Sequence, residues 1–354
     1  MPAYVDAVLT EALHEARMLG APRMDTVFLG GGTPSTLPPA LLERLLCGVT
    51  SLLPLAPRCE FTTEANPGTL TAAWLDVAVA CGVNRLSMGM QALQPCLLKT
   101  LGRIHTFEQV EASVRLARAA GIREVSLDLM FGLPGQTAAQ WHETLTAALS
   151  LSPQHLSCYG LIPEEGTPLL ARLEDGSLSL PDEEVERAMY DDAIATLAAH
   201  GFQQYEISNF ALPGHACRHN VGYWRQVPYL GLGASAASML PGEPSVAYVR
   251  RTDPRTIDAY LDLVSRGAWQ EREEEPISFA EARFETMMLG LRMDEGVSES
   301  GFLAMHGVTL ESCYGPRLRS LEARGLLRHI GDRWSLTRRG MDIQNSVLVE
   351  LMDD

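Results

Sequence analysis

The sequence predicts an α/β protein: a parallel, barrel-like sheet followed by a small winged-helix-like domain. Three observations predict it. Five strand–loop–helix units follow one another between residues 25 and 159, an alternation that implies a parallel sheet. Polar residues recur at or just past the ends of the first four strands: Thr33, Glu64, Gln91 and Asp128. From Ser278 the pattern changes to helices and a short two-stranded wing. In parallel sheets and barrels, ligands bind at the carboxyl ends of the strands. A doubly wound sheet is the competing topology. The polar strand ends keep recurring instead of clustering at one switch point, which favours the barrel.

Taken in order, Tyr4 to Leu19 carries Val5, Val8, Leu9, Ala12, Leu13 and Ala16 at helical spacing, with Glu and His expected outside. Asp25 to Thr36, DTVFLGGGTPST, holds a buried strand, Thr26 to Leu29, and then Gly30, Gly31 and Gly32. Glycines at a strand end bring bare backbone to the top of a sheet, where no Cβ blocks a ligand. A tight turn is the other reading. Thr33 adds a hydroxyl and Pro34 stiffens the exit. Pro38 and Pro39 open a helix over Ala40 to Leu53. Glu60 to Ala65 is a strand ending in Asn66–Pro67–Gly68, and Thr71 caps a helix to Cys81. Asn84 to Gly89 is the third strand, with helix Pro95 to Leu101 and then Gly102–Arg103–Ile104–His105. Thr106 caps the helix Phe107 to Ala120. Glu124 to Leu129, helix Ala138 to Leu149 and His155 to Tyr159 complete the series.

Helix Glu183 to His200 and a sixth strand, Tyr205 to Ile207, lead into a long irregular stretch rich in Gly, aromatics and His. Loops of this length in compact domains are usually functional. Val246 to Arg250 reads as an edge strand and Pro254 to Val264 as a helix. The run EREEE, 271–275, reads as a solvated domain boundary. The tail holds helices Phe279 to Leu291, Ser298 to Met305 and Leu310 to Arg324. A wing follows around Gly331–Asp332, then a last helix, Met341 to Leu351.

Composition narrows the function classes. With 28 basic and 44 acidic residues the net charge is −16, which argues against a broad nucleic-acid footprint. No apolar run approaches the roughly 18 residues of a membrane span. The N-terminal residues lack a basic n-region, so no signal peptide is expected and the cytoplasm is the expected location. Seven scattered cysteines contain no CxxC. Mostly buried, inert thiols in a reducing compartment are expected.

The stretches FLGGGTPS, TTEANPGTL, NRLSMGMQAL, LGRIH, SLDLMFGLPGQT, YEISNFALPGHACRHNVGYW and YLGLGASA together resemble the HemW family. These are radical S-adenosylmethionine (SAM) proteins related to the oxygen-independent coproporphyrinogen III dehydrogenase. The resemblance covers nearly the whole chain. It implies a partial (β/α)6 TIM-like barrel over residues 1–240, a connecting segment 241–277 and a C-terminal winged-helix-like domain 278–354. It also implies a [4Fe-4S] cluster held by a CxxxCxxC loop, together with bound SAM. By resemblance, Gly31, Gly32 and Thr33 contact the methionine end of SAM, and Glu64, Gln91, Arg103 and Asp128 make further SAM contacts. Carboxylates and an amide suit ribose hydroxyls and an ammonium, while an arginine suits a carboxylate. Loop capping is the alternative for Glu64 and Asp128, and a surface ion pair for Arg103.

The sequence has no CxxxCxxC. In the family that loop follows a first strand, ahead of the helix that opens this sequence. A late start, a truncation or a natural loss each accounts for this. SAM binding is expected to be weak without the cluster, and the first strand read here is expected to form an open sheet edge. HemW-like proteins bind haem and pass it to acceptor proteins, so such acceptors are the expected partners, with peripheral membrane contact compatible. In the family-type HNVGYW segment, His219 is expected as an axial haem ligand with Tyr223 and Trp224 packing on the macrocycle. Cys217 is a second candidate ligand, and a structural loop is the alternative. One rival function is the dehydrogenase itself. The other is a nucleic-acid-binding regulator, resting on Arg317, Arg319, Arg324, Arg328, Arg333, Arg338 and Arg339 of the tail, opposed only by Glu322 and Asp332.

Overall fold

The computed structural model describes residues 1–352. The chain divides into two compact units. One comprises Pro22–Gln204 with Ser208–Cys217. The other comprises Met1–Ala21, Tyr205–Ile207 and the chain from Arg218 onward. This cuts the chain differently from the expected boundaries at 240 and 277, because the N-terminal helix α1 (Pro2–Leu19) and residues 218–240 group with the tail.

The first unit is built from β1 (Met24–Leu29), α2 (Pro39–Leu52), β2 (Leu55–Ala65), α3 (Ala72–Ala80), β3 (Arg85–Gln91), α4 (Pro95–Thr100), α5 (Phe107–Ala119), β4 (Glu124–Phe131), α6 (Ala138–Ser150) and β5 (His155–Gly160). α7 (Pro168–Glu174), α8 (Glu183–Ala199), β6 (Gln203–Gln204) and β7 (Asn209–Ala211) complete it. Strands β1 to β5 lie side by side in chain order, each parallel to the next. No reversal interrupts them, so the sheet is a partial barrel and the doubly wound alternative is excluded. β1 stands at its edge. The sixth strand expected at 205–207 is not there. Instead β7 runs antiparallel to β5, and β6 antiparallel to β7.

Alternation along the strands gives this sheet two different faces. Phe61, Leu86, Met88, Met90, Val125, Leu127, Leu129 and Leu156 face the helices and are buried against Leu42, Trp74, Leu75, Val110 and Trp141. The residues between them are polar: Glu60, Thr62 and Glu64 on β2; Arg85 and Ser87 on β3; Glu124, Ser126 and Asp128 on β4; His155 and Ser157 on β5. A barrel whose inner face is polar at every second residue is not filled by a dry core. Two capping boxes, Thr106 with Gln109 and Thr137 with Gln140, start α5 and α6.

The second unit contains α1, α9 (Arg218–Trp224), β8 (Ala237–Pro241), β9 (Tyr248–Thr252), α10 (Ile257–Arg266) and β10 (Glu273–Ile277). It continues with α11 (Phe279–Gly290), β11 (Val297–Ser298), α12 (Glu299–His306), α13 (Leu310–Ala323), β12 (Leu327–Ile330), β13 (Arg333–Leu336), α14 (Arg338–Asp342) and α15 (Gln344–Leu351). The winged-helix-like tail closes around Met287, Phe302, Leu318, Leu321, Trp334 and Val347. Its wing gains a third strand, β11, beside β13, and the single last helix predicted from 341 is two short ones. The long stretch read as irregular contains α9 and β8. The glutamates of the EREEE run are exposed, as expected, but the run is not an irregular linker and its Arg272 is buried: Glu273, Glu274 and Glu275 lie in β10, opposite Thr252, Arg251 and Arg250 of β9. Cross-strand charge pairing of this kind offsets the poor strand propensity of Glu. Among the described residues no helix is long and apolar enough to cross a membrane.

The outward Glu residues expected on α1 are also corrected. Glu11 and Glu15 are fully buried. Arg272 Nη1 lies 2.7 Å from Glu15 Oε1, 3.6 Å from Glu11 Oε1 and 3.9 Å from Asp253 Oδ1. Arg251 Nη2 reaches the second Glu15 oxygen at 2.7 Å. Tyr260 Oη donates to Glu11 Oε2 at 2.6 Å, and the Gly233 N–H donates to the same oxygen at 2.8 Å. Three carboxyls thus face two guanidiniums, and neutrality requires one proton. Burial and the adjacent Glu11 carboxylate push Asp253 from the ordinary 3.8 up to about 8. The folded state therefore holds an extra proton between these values, and the stability tied to it falls as pH rises through that window. Asp253→Asn is expected to abolish this fall. Comparing urea midpoints of the two proteins at about pH 6 and pH 8.5 tests it; parallel behaviour would overturn it.

Candidate ligand-binding site

The C-terminal ends of β1 to β4 converge on one polar site in the first unit. Beyond Leu29 the chain turns through Gly31, whose φ of 75° favours glycine. The Gly31 N–H donates to the Glu64 carboxylate. An added Cβ on Gly30 would lie 2.8 Å from the Glu64 carboxyl carbon, so Glu64 crosses directly over this residue. A Cβ on Gly31 or Gly32 would meet nothing within 4 Å, so the loop faces open space. Thr33 Oγ1 accepts from Asn66 Nδ2 at 3.2 Å, and Ser35 Oγ bonds Thr69 Oγ1 at 2.6 Å, which stitches the loop after β1 to the loop after β2.

β3 ends in a bulge between Gly89 and Gln91, and Gln91 adopts a φ of 63°. This turns its amide back over Gly89, where a Cβ would lie 2.7 Å from Nε2. Asp128, opposite Gly89 in register, is held by Ser87 Oγ at 3.1 and 3.3 Å and by Ser157. Burial raises the pKa of Asp128, and the serine hydrogen bonds offset this in part. Burial also raises that of Glu64, the charge of Asp128 adds to it, and the Gly31 N–H opposes. Two carboxyls that feel one another, a carboxamide and an open glycine loop form a receptor for hydroxyl and ammonium groups.

Below them the inner face stays polar: Arg85, Ser126 and His155 are buried, while Glu124 and His215 are partly exposed. Arg85 Nη1 donates to the His215 carbonyl at 3.1 Å and lies 3.8 Å from Glu124. His215 Nδ1 sits 2.7 Å from Glu124, and His155 Nδ1 is 2.7 Å from Ser126 Oγ. Burial beside Arg85 holds His155 well below the usual imidazole range, so it is neutral. Ser87, Ser157 and this lower layer were missed when only strand ends were read. The signal was present as period-2 polarity in RLSMG, EVSLDL and HLSCY.

The structure therefore brings Gly31, Gly32, Thr33, Glu64, Gln91 and Asp128 to one end of the sheet. It does not bring Arg103 into contact with them. Arg103 is exposed on a loop that His105 pins to β3 by donating from Nε2 to the Met90 carbonyl at 3.1 Å. In the second unit, His219, Tyr223 and Trp224 share α9. His219 Nε2 and Tyr223 Oη are 3.0 Å apart, and Tyr223 packs edge-on against Tyr229. The Arg292 guanidinium covers the Trp224 ring at 4.5 Å. Cys217 is buried in the other unit, its Sγ 3.5 Å from Glu60.

Residues 2–148 match the family description "Radical SAM superfamily", and residues 277–343 match "HemN C-terminal domain". The heme chaperone HemW of Bacillus subtilis is 36% identical over 97% of this chain and 89% of its own length. The chain belongs to the HemW family. The HemW of Escherichia coli is 34% identical over 98% of the chain and 88% of that protein. Among solved structures, coproporphyrinogen III oxidase (HemN) from Escherichia coli, a radical SAM enzyme, superposes with a TM-score of 0.82 over 98% of this chain and 82% of that one. At 21% identity this is a likeness of fold, and it agrees with the partial barrel.

Radical SAM proteins such as the HemW family use SAM and a [4Fe-4S] cluster, and the two groups fare differently here. The receptor at the strand ends fits SAM, which carries the ammonium, carboxylate and ribose hydroxyls that its donors and acceptors match. The cluster does not fit the described residues. No group of three or more His, Cys, Asp or Glu is placed to hold a metal, and three thiolates are needed.

Proposed function

We propose that this chain works as a haem chaperone, binding haem and delivering it to acceptor proteins. The similarity to heme chaperone HemW over essentially the full length supports this most, because it includes both compact units. We place the delivery in the cytoplasm, with acceptors reached in solution or at a membrane surface. The parts are read as a barrel with its haem-type loop over 1–240, a connecting segment 241–277 and a C-terminal domain 278–354; the C-terminal family match at 277–343 supports the last of these.

Gly31, Gly32, Thr33, Glu64, Gln91, Arg103 and Asp128 are assigned to SAM, which supplies the sulfonium chemistry of the superfamily when bound. In this reading Glu64 and Asp128 accept from ribose and ammonium groups, Gln91 orients them, and the backbone of Gly31 and Gly32 contacts the methionine end. Arg103, on its exposed loop, is assigned to pair with the SAM carboxylate. The polar inner face and the open glycine loop support the assignment.

His219 is assigned as the haem ligand, with Tyr223 and Trp224 against the macrocycle. The hydrogen bond to Tyr223 occupies Nε2 in the free protein, so ligation through Nε2 requires Tyr223 to turn away. Haem titration followed by the Soret band tests this. His219→Ala is expected to weaken binding about tenfold, a loss of roughly 1.4 kcal/mol, and to shift the band; an unchanged titration would remove His219 from the site. Nucleic acid is not proposed as a partner. Most tail arginines are engaged within their own unit: Arg319 with Glu311, Arg324 with Glu350, Arg328 with Asp294, Arg333 with Glu295, and Arg317 with the Leu351 carbonyl.

A further inference from the structure

The thiols are less hidden than their scatter along the chain suggests. Cys47 and Cys96 are exposed, and only Cys158 and Cys217 are buried. Cys47 lies on α2, and Cys81 is the residue that ends α3, the helix packed beside it. Their Sγ atoms are 3.1 Å apart although 34 residues separate them. A disulfide bond is 2.03–2.05 Å long, so the sulfurs need to close by about 1 Å. Cys47 is open to solvent and Cys81 is half-buried behind it, so an oxidant meets Cys47 first. The position gives the pair a mechanical meaning. α2 leads away from the loop of Gly31 and Gly32, and α3 follows the loop after Glu64.

We propose that Cys47 and Cys81 form a reversible intramolecular disulfide that ties α2 to α3 under oxidising conditions. The oxidant is a small-molecule disulfide such as oxidised glutathione. The Cys47 thiolate attacks it, forming a mixed disulfide and releasing one glutathione thiol. Cys81, as its thiolate, attacks the Cys47 sulfur, forms the protein S–S bond and releases the second. Two protein thiols are oxidised, one glutathione disulfide is reduced, and the two protons end on the released thiols. Burial and the neighbouring Cys47 raise the pKa of the Cys81 thiol. The second step is therefore slow at neutral pH and quickens as pH rises. The bond joins two βα units on the helical side of the sheet, leaving the inner face untouched.

The test uses the full chain, purified reduced and incubated with oxidised glutathione. Remaining thiols are alkylated, and tryptic peptides are mapped by mass spectrometry. The expected result is a linked peptide pair carrying Cys47 and Cys81, two hydrogens lighter than the separate peptides and separated again by dithiothreitol. The link is absent in Cys47→Ser. The tryptic fragment that holds Cys81 also holds Cys59, so Cys59→Ser must retain the link. Glutathione left on Cys47 with Cys81 alkylated would overturn the proposal. So would a link to Cys59, or full alkylation of both Cys47 and Cys81.

Discussion

Replacing Arg272 by alanine is expected to cost about 3–5 kcal/mol of stability, because it leaves buried carboxylates without their counter-charge. Arg272 faces Glu15, Glu11 and Asp253 at 2.7, 3.6 and 3.9 Å, and its guanidinium also packs on the Trp269 ring. With Arg272 removed, Arg251 is the remaining guanidinium among three carboxyls, so a second carboxyl must take a proton or water must enter. A double replacement that removes charge on both sides, Glu15→Met with Arg272→Met, is expected to recover much of the loss, since buried ion pairs add little over apolar packing of like volume. Urea unfolding followed by tryptophan fluorescence measures both, with Trp269 as a local reporter. A loss below about 1 kcal/mol for Arg272→Ala, the range of an exposed pair, would mean that the cluster is hydrated in solution.

Gly30→Val and Gly32→Ala are expected to separate folding from ligand binding at the strand ends. A Cβ on Gly30 would lie 2.6 Å from the Phe28 ring and 2.8 Å from the Glu64 carboxyl carbon. Valine there displaces Glu64 from the Gly31 N–H and is expected to cost about 1–3 kcal/mol by overpacking. A Cβ on Gly32 meets nothing, so alanine is expected to change stability by less than about 0.5 kcal/mol. It does project into the space assigned to SAM. Saturation-transfer NMR with SAM is therefore expected to show signal for the natural protein and Gly32→Ala weakened about tenfold, a penalty of roughly 1.4 kcal/mol. Unchanged SAM signal in Gly32→Ala would move the ligand off this loop.

Much of the barrel was legible in the sequence, because five runs of β-type residues alternate with capped helices and the order in which strands pair follows the order in which they occur. The strand ends gave Glu64, Gln91 and Asp128, since a carboxylate or amide closing a buried strand needs a reason. Other features were not legible from local pattern. Glu11 and Glu15 sit on the buried stripe of α1, and their partners, Arg251, Asp253, Tyr260 and Arg272, lie more than two hundred residues away. A Glu at such a position reads as solvated until the pairing is known. That the exposed EREEE run forms a strand was hidden for a similar reason: pairing with the charged side chains of β9, not intrinsic preference, holds it extended. Arg103 was chosen by resemblance, and in the free protein it stays apart from the carboxylates it was grouped with.

The two-faced sheet has a consequence for how such proteins diversify. Residues that secure folding and residues that meet the ligand alternate along the same strands, and neighbours in sequence answer to different demands. Exchanges at Ser87, Asp128 or Ser157 alter what the interior accepts while Leu86, Leu127 and Leu156 keep their helices. A saturation library of β3 to β5 scored for soluble expression is expected to show tolerance with a period of two. One scaffold can then change its chemistry by inherited single substitutions, without first relearning how to fold.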